Sequence, residues 1–464
     1  MKNAKDARIK RKSHNLFRKT KAMRLLTKQF GKILTATLSS VLLLSFIGNI
    51  YGQIDQAKIL TLAEAIQLAE QQVSAFQQSK INEKIIEQDV FQSKKAFYPK
   101  ATATVGTIYT SPSLSKAILP RPPSFLGANA ITEYSGLVGI SGEIDTSGKL
   151  KAALKRNQLL LESAKFGTEI ERRNLVFAVQ DSYLSLALTT VRRRSAEQNL
   201  QSAGQFEANT KLLLEAGEIA PVDLLRAKLQ TSQRQDELEQ SKANELVAAD
   251  ALKVLIGYDS TQIFATEDLL TQMPNDSEIE SYTTLAINTR PEFAQFEADR
   301  KVAEQDIKIA EAERKPQITY SVNGGAITDS PFRVKNNLGV QASIGVTIPL
   351  FDWGQSKSRE TQAQLKIQQT ENARKLAENQ FIQLFNSNRT LAISARSRIK
   401  LLAQSITDAE KNLIASQARY QAGEAIINEV TDAQNLLISQ RFALYQAIYD
   451  YQAARIRLLN IIGK

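Results

Sequence analysis

The chain has 464 residues, with 59 Lys and Arg against 48 Asp and Glu, no Cys and a single His, His14. The positive balance is confined to residues 1–52, which hold 12 basic residues and one acid, Asp6, leaving 47 of each sign in the remainder. This argues against a basic nucleic-acid-binding fold. It also argues against disulfides, cysteine nucleophiles, ordinary zinc or copper sites and, past residue 52, His-dependent acid–base catalysis.

Residues 1–52 read as a secretory signal: a basic stretch, an apolar run from Ile33 to Ile47, then Ile50-Tyr51-Gly52 before Gln53. The apolar run is short for a membrane span, and a start at Met23 would give a more ordinary signal. Residues 57–97 read as two helices, the first carrying Leu62, Ala65, Ile66, Ala69, Val73 and Phe76 at helical spacing and the second ending at Tyr98-Pro99. A strand is expected over 101–110. Pro112, Pro120, Pro122 and Pro123 then make 111–133 a loop. A second strand runs from Tyr134 to Ile144, with Val138, Ile140 and Ile144 on one face, followed by a turn ending at Gly148.

Residues 149–216 contain no proline. A single helix of that length would extend roughly 100 Å, and Ile170, Phe177, Leu184 and Val191 recur every seventh residue, a coiled-coil spacing. Gly217 and Pro221 mark a tight turn into a return helix ending at Ile256. Residues 258–280 read as a linker. Helices are then expected over 281–314, strands over 317–327 and 338–350, a long helix over 355–421, a turn at Ala422-Gly423-Glu424, and a last helix to Ile462 in which Val430, Leu437, Leu444, Tyr451 and Leu458 recur every seventh residue. The strand at 338–350 alternates most clearly: Leu338, Val340, Ala342, Ile344, Val346, Ile348 and Leu350 share one face, with small or polar residues between them. Phe351 and Trp353 at its base, with Tyr98 at the base of the first strand, sit where a membrane strand carries interfacial aromatics.

The two halves are copies. A shift of 206 residues lays Gly139 on Gly345, Gly148 on Gly354, Gly217 on Gly423, Glu218 on Glu424 and Gly257 on Gly463. Further upstream a shift of 217 lays Phe76 on Phe293 and Pro99 on Pro316. The expected division is therefore a signal at 1–52, a first repeat at 53–257, a linker at 258–280 and a second repeat at 281–464.

Each repeat supplies two membrane-length strands. Four strands cannot close a barrel, and open edges are not tolerated in lipid. Several chains must then share one barrel. Three would give twelve strands, wide enough to hold water, together with twelve long helices forming a hollow stem. The strands alone do not force the count of three.

This plan resembles the TolC family of outer-membrane efflux proteins over essentially the whole chain past the leader. The likeness rests on Ala96-Phe-Tyr-Pro-Lys100, on Ile348-Pro-Leu-Phe-Asp-Trp-Gly354, and on Arg419-Tyr-Gln-Ala-Gly423 with Glu429-Val-Thr-Asp-Ala-Gln434. The first repeat departs from the second string, with Gly142-Glu-Ile-Asp145, but keeps Gly148. The resemblance implies a mainly α-helical homotrimer with a long antiparallel helical barrel and a twelve-stranded membrane β-barrel. It also implies export of substrates received from an inner-membrane pump through a periplasmic adaptor, with no cofactor and no catalysis. It places a periplasmic gate at Glu429, Asp432, Asp223, Arg226 and Tyr420, and adaptor-docking tips at Gly217, Glu218, Gly423 and Glu424. Glu429 and Asp432 lie three residues apart on one helix face, so three chains would ring a narrow mouth with carboxylates and favour cations there. Well-studied members carry a latching arginine two residues beyond the tip glycine, where this chain has Ala425. Arg226, opposite Asp432 under the 206 shift, is the candidate replacement, pairing with Asp432 or Glu429.

Two other readings are weaker. A non-conducting coiled-coil scaffold anchored at the outer membrane explains the helices but not four alternating strands. A carboxylate-dependent hydrolase has no supporting motif. Only Met1, Met23 and Met273 occur, which gives no methionine relay for copper, and the cargo cannot be read from the residues.

Overall fold

The computed structural model describes residues 58–109, 132–259, 264–267, 270, 277–330, 332 and 337–463. The leader, the proline-rich loop at 111–131, Pro331 and parts of the linker lie outside the described residues. The chain divides into two units. The smaller, residues 1–59 and 263–265, contributes most of a two-stranded sheet of β1 (Lys58–Leu60) and β4 (Phe264–Thr266). Strands this short have too little alternation to register in the sequence, and neither was foreseen.

The larger unit begins with α1 (Leu62–Gln71), opened by a capping box in which Thr61 and Glu64 satisfy each other's backbone N–H groups. Helix α2 (Ala75–Lys95) follows, capped by Ser74. Then come β2 (Lys100–Tyr109), β3 (Thr132–Ile144), α3 (Lys149–Glu215) and α4 (Pro221–Ile256). The second half supplies α5 (Pro291–Ala312), β5 (Gln317–Thr328), β6 (Leu338–Thr347), α6 (Gln355–Gln421) and α7 (Ile427–Ile461). Helices α3 and α6 each have 67 residues.

Three sequence expectations need correction. The helix expected from residue 281 begins only at Pro291, preceded by short 3-10 turns at Ile279–Ser281 and Thr284–Thr289. The proline forces Arg290 into extended backbone (φ −68°, ψ 147°), so α5 cannot be continuous with what precedes it. Strand β6 stops at Thr347 rather than 350, because Pro349 has no N–H to donate. The seven-residue stripe of α3 is buried only at Leu184. Its buried positions instead include Leu175, Val179, Tyr183, Leu186 and Leu188. This helix packs on α1, α2, α4, α5 and α7, so no single stripe serves as its seam. In α7 the expected stripe holds: Val430, Leu437, Tyr451 and Leu458 are buried and Leu444 packs beside them.

The four long strands form one antiparallel sheet in the order β2-β3-β5-β6. Val105 pairs with Gly136, Gly139 with Asn323, and Gly324 with Val340. Along β3, Tyr134, Gly136, Val138, Ile140 and Ile144 are exposed while Ser135, Leu137, Gly139, Ser141 and Glu143 are less so. Strands β2 and β6 are the sheet's edges. The main core lies below the sheet, where Leu184 and Leu188 of α3, Phe293 of α5, Phe385 and Ile399 of α6 and Tyr451 and Leu458 of α7 meet around Ile279 and Ile287. Arg290 is buried there. It pairs with Glu292, donates to the carbonyls of Asn460 and Ile461, and lies 4.2 Å above the Phe381 ring. It thereby satisfies carbonyls that the end of α7 would leave open.

Candidate functional site: helical tips and strand bases

Both hairpin tips are built by the same backbone device. At the first, Gly217 N donates to Leu214 O and Glu218 N to Leu213 O, each at 3.0 Å. At the second, Gly423 N donates to Tyr420 O at 3.1 Å and Glu424 N to Arg419 O at 2.8 Å. This is the Schellman pattern, which needs a left-handed residue. Gly217 and Gly423 supply it at φ 76° and 75°. The return helices also start alike: Asp223 and Glu429, 206 residues apart, each occupy the first turn, where the helix dipole favours negative charge.

The described chain brings some of the predicted gate residues together and keeps others apart. Arg226 lies 3.9 Å from Asp223, one turn away on its own helix, and within this chain it does not reach Glu429 or Asp432. Glu429 is held instead by Arg419, which crosses from the last turn of α6 to the first turn of α7. Asp432 is exposed. Tyr420 is buried, its ring 5.9 Å from that of Phe206 of α3. Burial pushes its phenol pKa up and the Asp223 charge adds to this, with the Thr210 hydroxyl acting the other way.

Sequence reasoning missed what joins the two hairpins. Ala227 of α4, Tyr420 of α6 and Ile427 and Val430 of α7 form one buried cluster, covered by Phe206, Leu213 and Leu413. Just above it Gln230 donates to Gln434 and Arg234 to Asn435, from α4 to α7. Gln230, Arg234 and Gln434 border a cavity of about 320 Å³ that also touches Asn199 and Arg441. Of its members only Val430 was read as core, from its seven-residue stripe. Nothing in the pattern says which distant helix each one faces.

At the strand bases, Phe351 and Trp353 are exposed and meet edge to face at 4.6 Å. Tyr98 is exposed too, with the Lys95 ammonium 5.0 Å from its ring centroid. The Asp-Trp-Gly stretch is a helix start. The Asp352 carboxylate accepts from Gly354 N at 3.0 Å and Ser356 N at 2.9 Å, with Trp353 and Gly354 both left-handed. The hydroxyl and amide of Ser356 and the amide of Gly354 hold the Asp352 pKa below the usual carboxylate range. In the first half Asp145 does the same work, accepting from Leu150 N at 3.1 Å and Lys151 N at 2.9 Å. The cap survives there although the surrounding string differs. Among the described residues no helix is long and apolar enough to cross a membrane.

The sequence pattern of outer membrane efflux proteins matches residues 59–258 and 283–464. The chain belongs to the outer membrane efflux protein family. The pyoverdine export outer membrane protein OpmQ of Pseudomonas aeruginosa is 21% identical over 374 residues, covering 79% of this chain and 77% of that protein. The cobalt-zinc-cadmium resistance protein CzcC of Cupriavidus metallidurans is 23% identical over 331 residues, 69% of this chain and 72% of that one. Among solved structures, CusC superposes with a TM-score of 0.74 at 17% identity, over 89% of this chain and 95% of its own. The outer membrane protein VceC of Vibrio cholerae gives 0.70 at 17% identity, over 87% and 96%. The efflux protein described here shares their fold: long helices below a sheet of membrane strands. It is an outer-membrane protein with its helices in the periplasm.

Proposed function

We propose that three copies of this efflux protein assemble into a channel that carries cargo across the periplasm and the outer membrane, opening at the helical tips. The observation that carries this reading is the sheet β2-β3-β5-β6, whose edge strands have no partner among the described residues. Unpaired edges in lipid are too costly to persist, so β6 of one copy would pair with β2 of the next. Two copies would give eight strands, whose interior side chains fill, whereas three give twelve and an aqueous bore. On this reading residues 1–52 are the signal, 53–257 and 281–464 are the two repeats, and 258–280 link them.

Cargo would come from an inner-membrane pump through a periplasmic adaptor that grips the tips around Gly217, Glu218, Gly423 and Glu424. Glu429, Asp432, Asp223, Arg226 and Tyr420 would form the closed mouth, with Arg419 holding Glu429. Phe351, Trp353 and Tyr98 would sit at the lipid–water boundary. Chemistry at a catalytic centre plays no part.

Electron microscopy of the detergent-extracted protein, with its mass by native mass spectrometry and its conductance in planar bilayers, tests this. A three-fold hollow tube that conducts is expected. Single chains, or solid rods without conductance, would overturn it.

A further inference from the structure

Four lysines line one open groove where the helices meet the base of the sheet. Lys151 and Lys155 stand in the first two turns of α3, Lys308 near the end of α5, and Lys315 just before β5. The groove measures about 720 Å³, and Glu311 is the one acid on its wall. Neighbouring basic groups are neutralised: Arg156 by Asp306, Arg314 by Glu360, Arg359 by Glu313. Among the described residues, none of the four lysine ammonium groups has an ion-pair partner.

The position of the groove gives it a meaning. Ser147 and Gly148, on its wall, follow Ile144, the last exposed apolar residue of β3. Helix α3 meets its neighbours through other positions, Ser163 to Asp299 of α5 and Asn157 to Ser93 of α2, which leaves Lys151 and Lys155 exposed. The chain's own helices bound the groove on both sides, so it does not lie at the edge strands where a second copy would pair. The exposed apolar residues of β3 thus end at Ile144, three residues before Ser147 on the wall of a groove of unneutralised cations, an order that matches a lipid tail ending in an anionic headgroup.

We propose that this groove binds the phosphate of an anionic glycerophospholipid in the periplasm-facing leaflet, its acyl chains lying along Val138, Ile140 and Ile144. The inference rests on reading the sheet as membrane-spanning. Each ammonium offers up to three N–H donors to phosphate oxygens. A zwitterionic headgroup brings its own cation to the same place and gains less.

The test uses the full-length protein in nanodiscs of phosphatidylcholine mixed with phosphatidylglycerol, with the co-purifying lipid counted by mass spectrometry. Phosphatidylglycerol should be enriched over its bulk fraction by about fivefold or more at low salt, the effect expected from one lysine near an anionic surface, and the enrichment should fade at high salt. The combined variant Lys151→Gln, Lys155→Gln, Lys308→Gln, Lys315→Gln should lose it. The matching Lys→Arg variant, and Lys211→Gln with Lys228→Gln and Lys411→Gln far away in the hairpins, should keep it. Equal retention of both lipids, retained enrichment in the glutamine variant, or displacement of the lipid by inorganic phosphate alone would each overturn the proposal. A protein that enters no bilayer would overturn the membrane reading itself, an outcome distinct from insertion without lipid preference.

Discussion

Which contact holds the hairpin tips together is decided by burial. Ile427, the first residue of α7, is 1% exposed inside a cluster drawn from both hairpins. Truncating such a side chain to alanine costs about 2–5 kcal/mol, from lost transfer energy and the cavity left behind. The Arg419–Glu429 pair has side chains 52% and 36% exposed, and such pairs contribute about 0.2–1 kcal/mol once solvent screening is counted. At about 1.4 kcal/mol per tenfold, Ile427→Ala shifts an opening equilibrium that separates the hairpins by roughly thirtyfold or more, and Glu429→Gln by about fivefold at most. Single-channel recording in planar bilayers reads this as open probability. Ile427→Val, which loses about 0.5–1.5 kcal/mol, should fall between them and guards against a misfolded alanine variant. An open probability raised more by Glu429→Gln than by Ile427→Ala would refute the reasoning and return the latch to the charges.

Gly423→Ala meets no neighbouring atom within 4 Å but must hold φ near 75°. It should lower helix stability by about 1 kcal/mol in a circular-dichroism melt, whereas Gly204→Ala, inside α3, should raise it by up to about 1 kcal/mol. Gly325→Ala would place a Cβ 2.0 Å from Gly136 O across the β3–β5 pairing, so loss of the proposed trimer by native mass spectrometry is expected. Arg290→Ala strands Glu292 and two carbonyls at the end of α7 and should cost about 3–5 kcal/mol, measured by thermal unfolding. Because the Asp352 carboxyl is held below its ordinary value of 3.8, its contribution is complete above that pH. It is lost as acidification passes down through the lowered value. Asp352→Asn should therefore melt earlier at neutral pH and show a flatter acid limb than the wild type.

The long elements were legible because their signals are local and repeated. The limits of α6 were readable to the residue, since Gly354 and Gly423 fix both ends. The repeat shift put Gly148 beside Gly354 and Gly217 beside Gly423, and their φ angles agree to within a few degrees, 82° with 84° and 76° with 75°. The seam of α3 was misread because a single stripe presumes a single partner, and this helix has five. At the tips, the spacing of Glu429 and Asp432 was visible, but the partner of Glu429 was not. Arg419 lies ten residues back on another helix, and only the closed turn brings the two together. The partner of Arg226 within this chain, Asp223, is a helical neighbour that needs no tertiary fold at all.

The hydrogen bond from Thr146 to Pro316 joins residues 170 positions apart, at the foot of the β3–β5 pairing. Closing a flexible loop of that length costs about 4–5 kcal/mol in chain entropy, far more than the first strand contacts return. The intervening segment cannot stay flexible while that pairing forms. Helices α3 and α4 must first zip as a local hairpin, and α5 must then dock on α3 through pairs such as Arg156–Asp306 and Ser163–Asp299. Until then β2 and β3 stand as a two-stranded ribbon, marginal by itself in water, with one apolar side bare. The time between arrival of the first half and the second, rather than the strength of either hairpin, sets how long that ribbon stays bare.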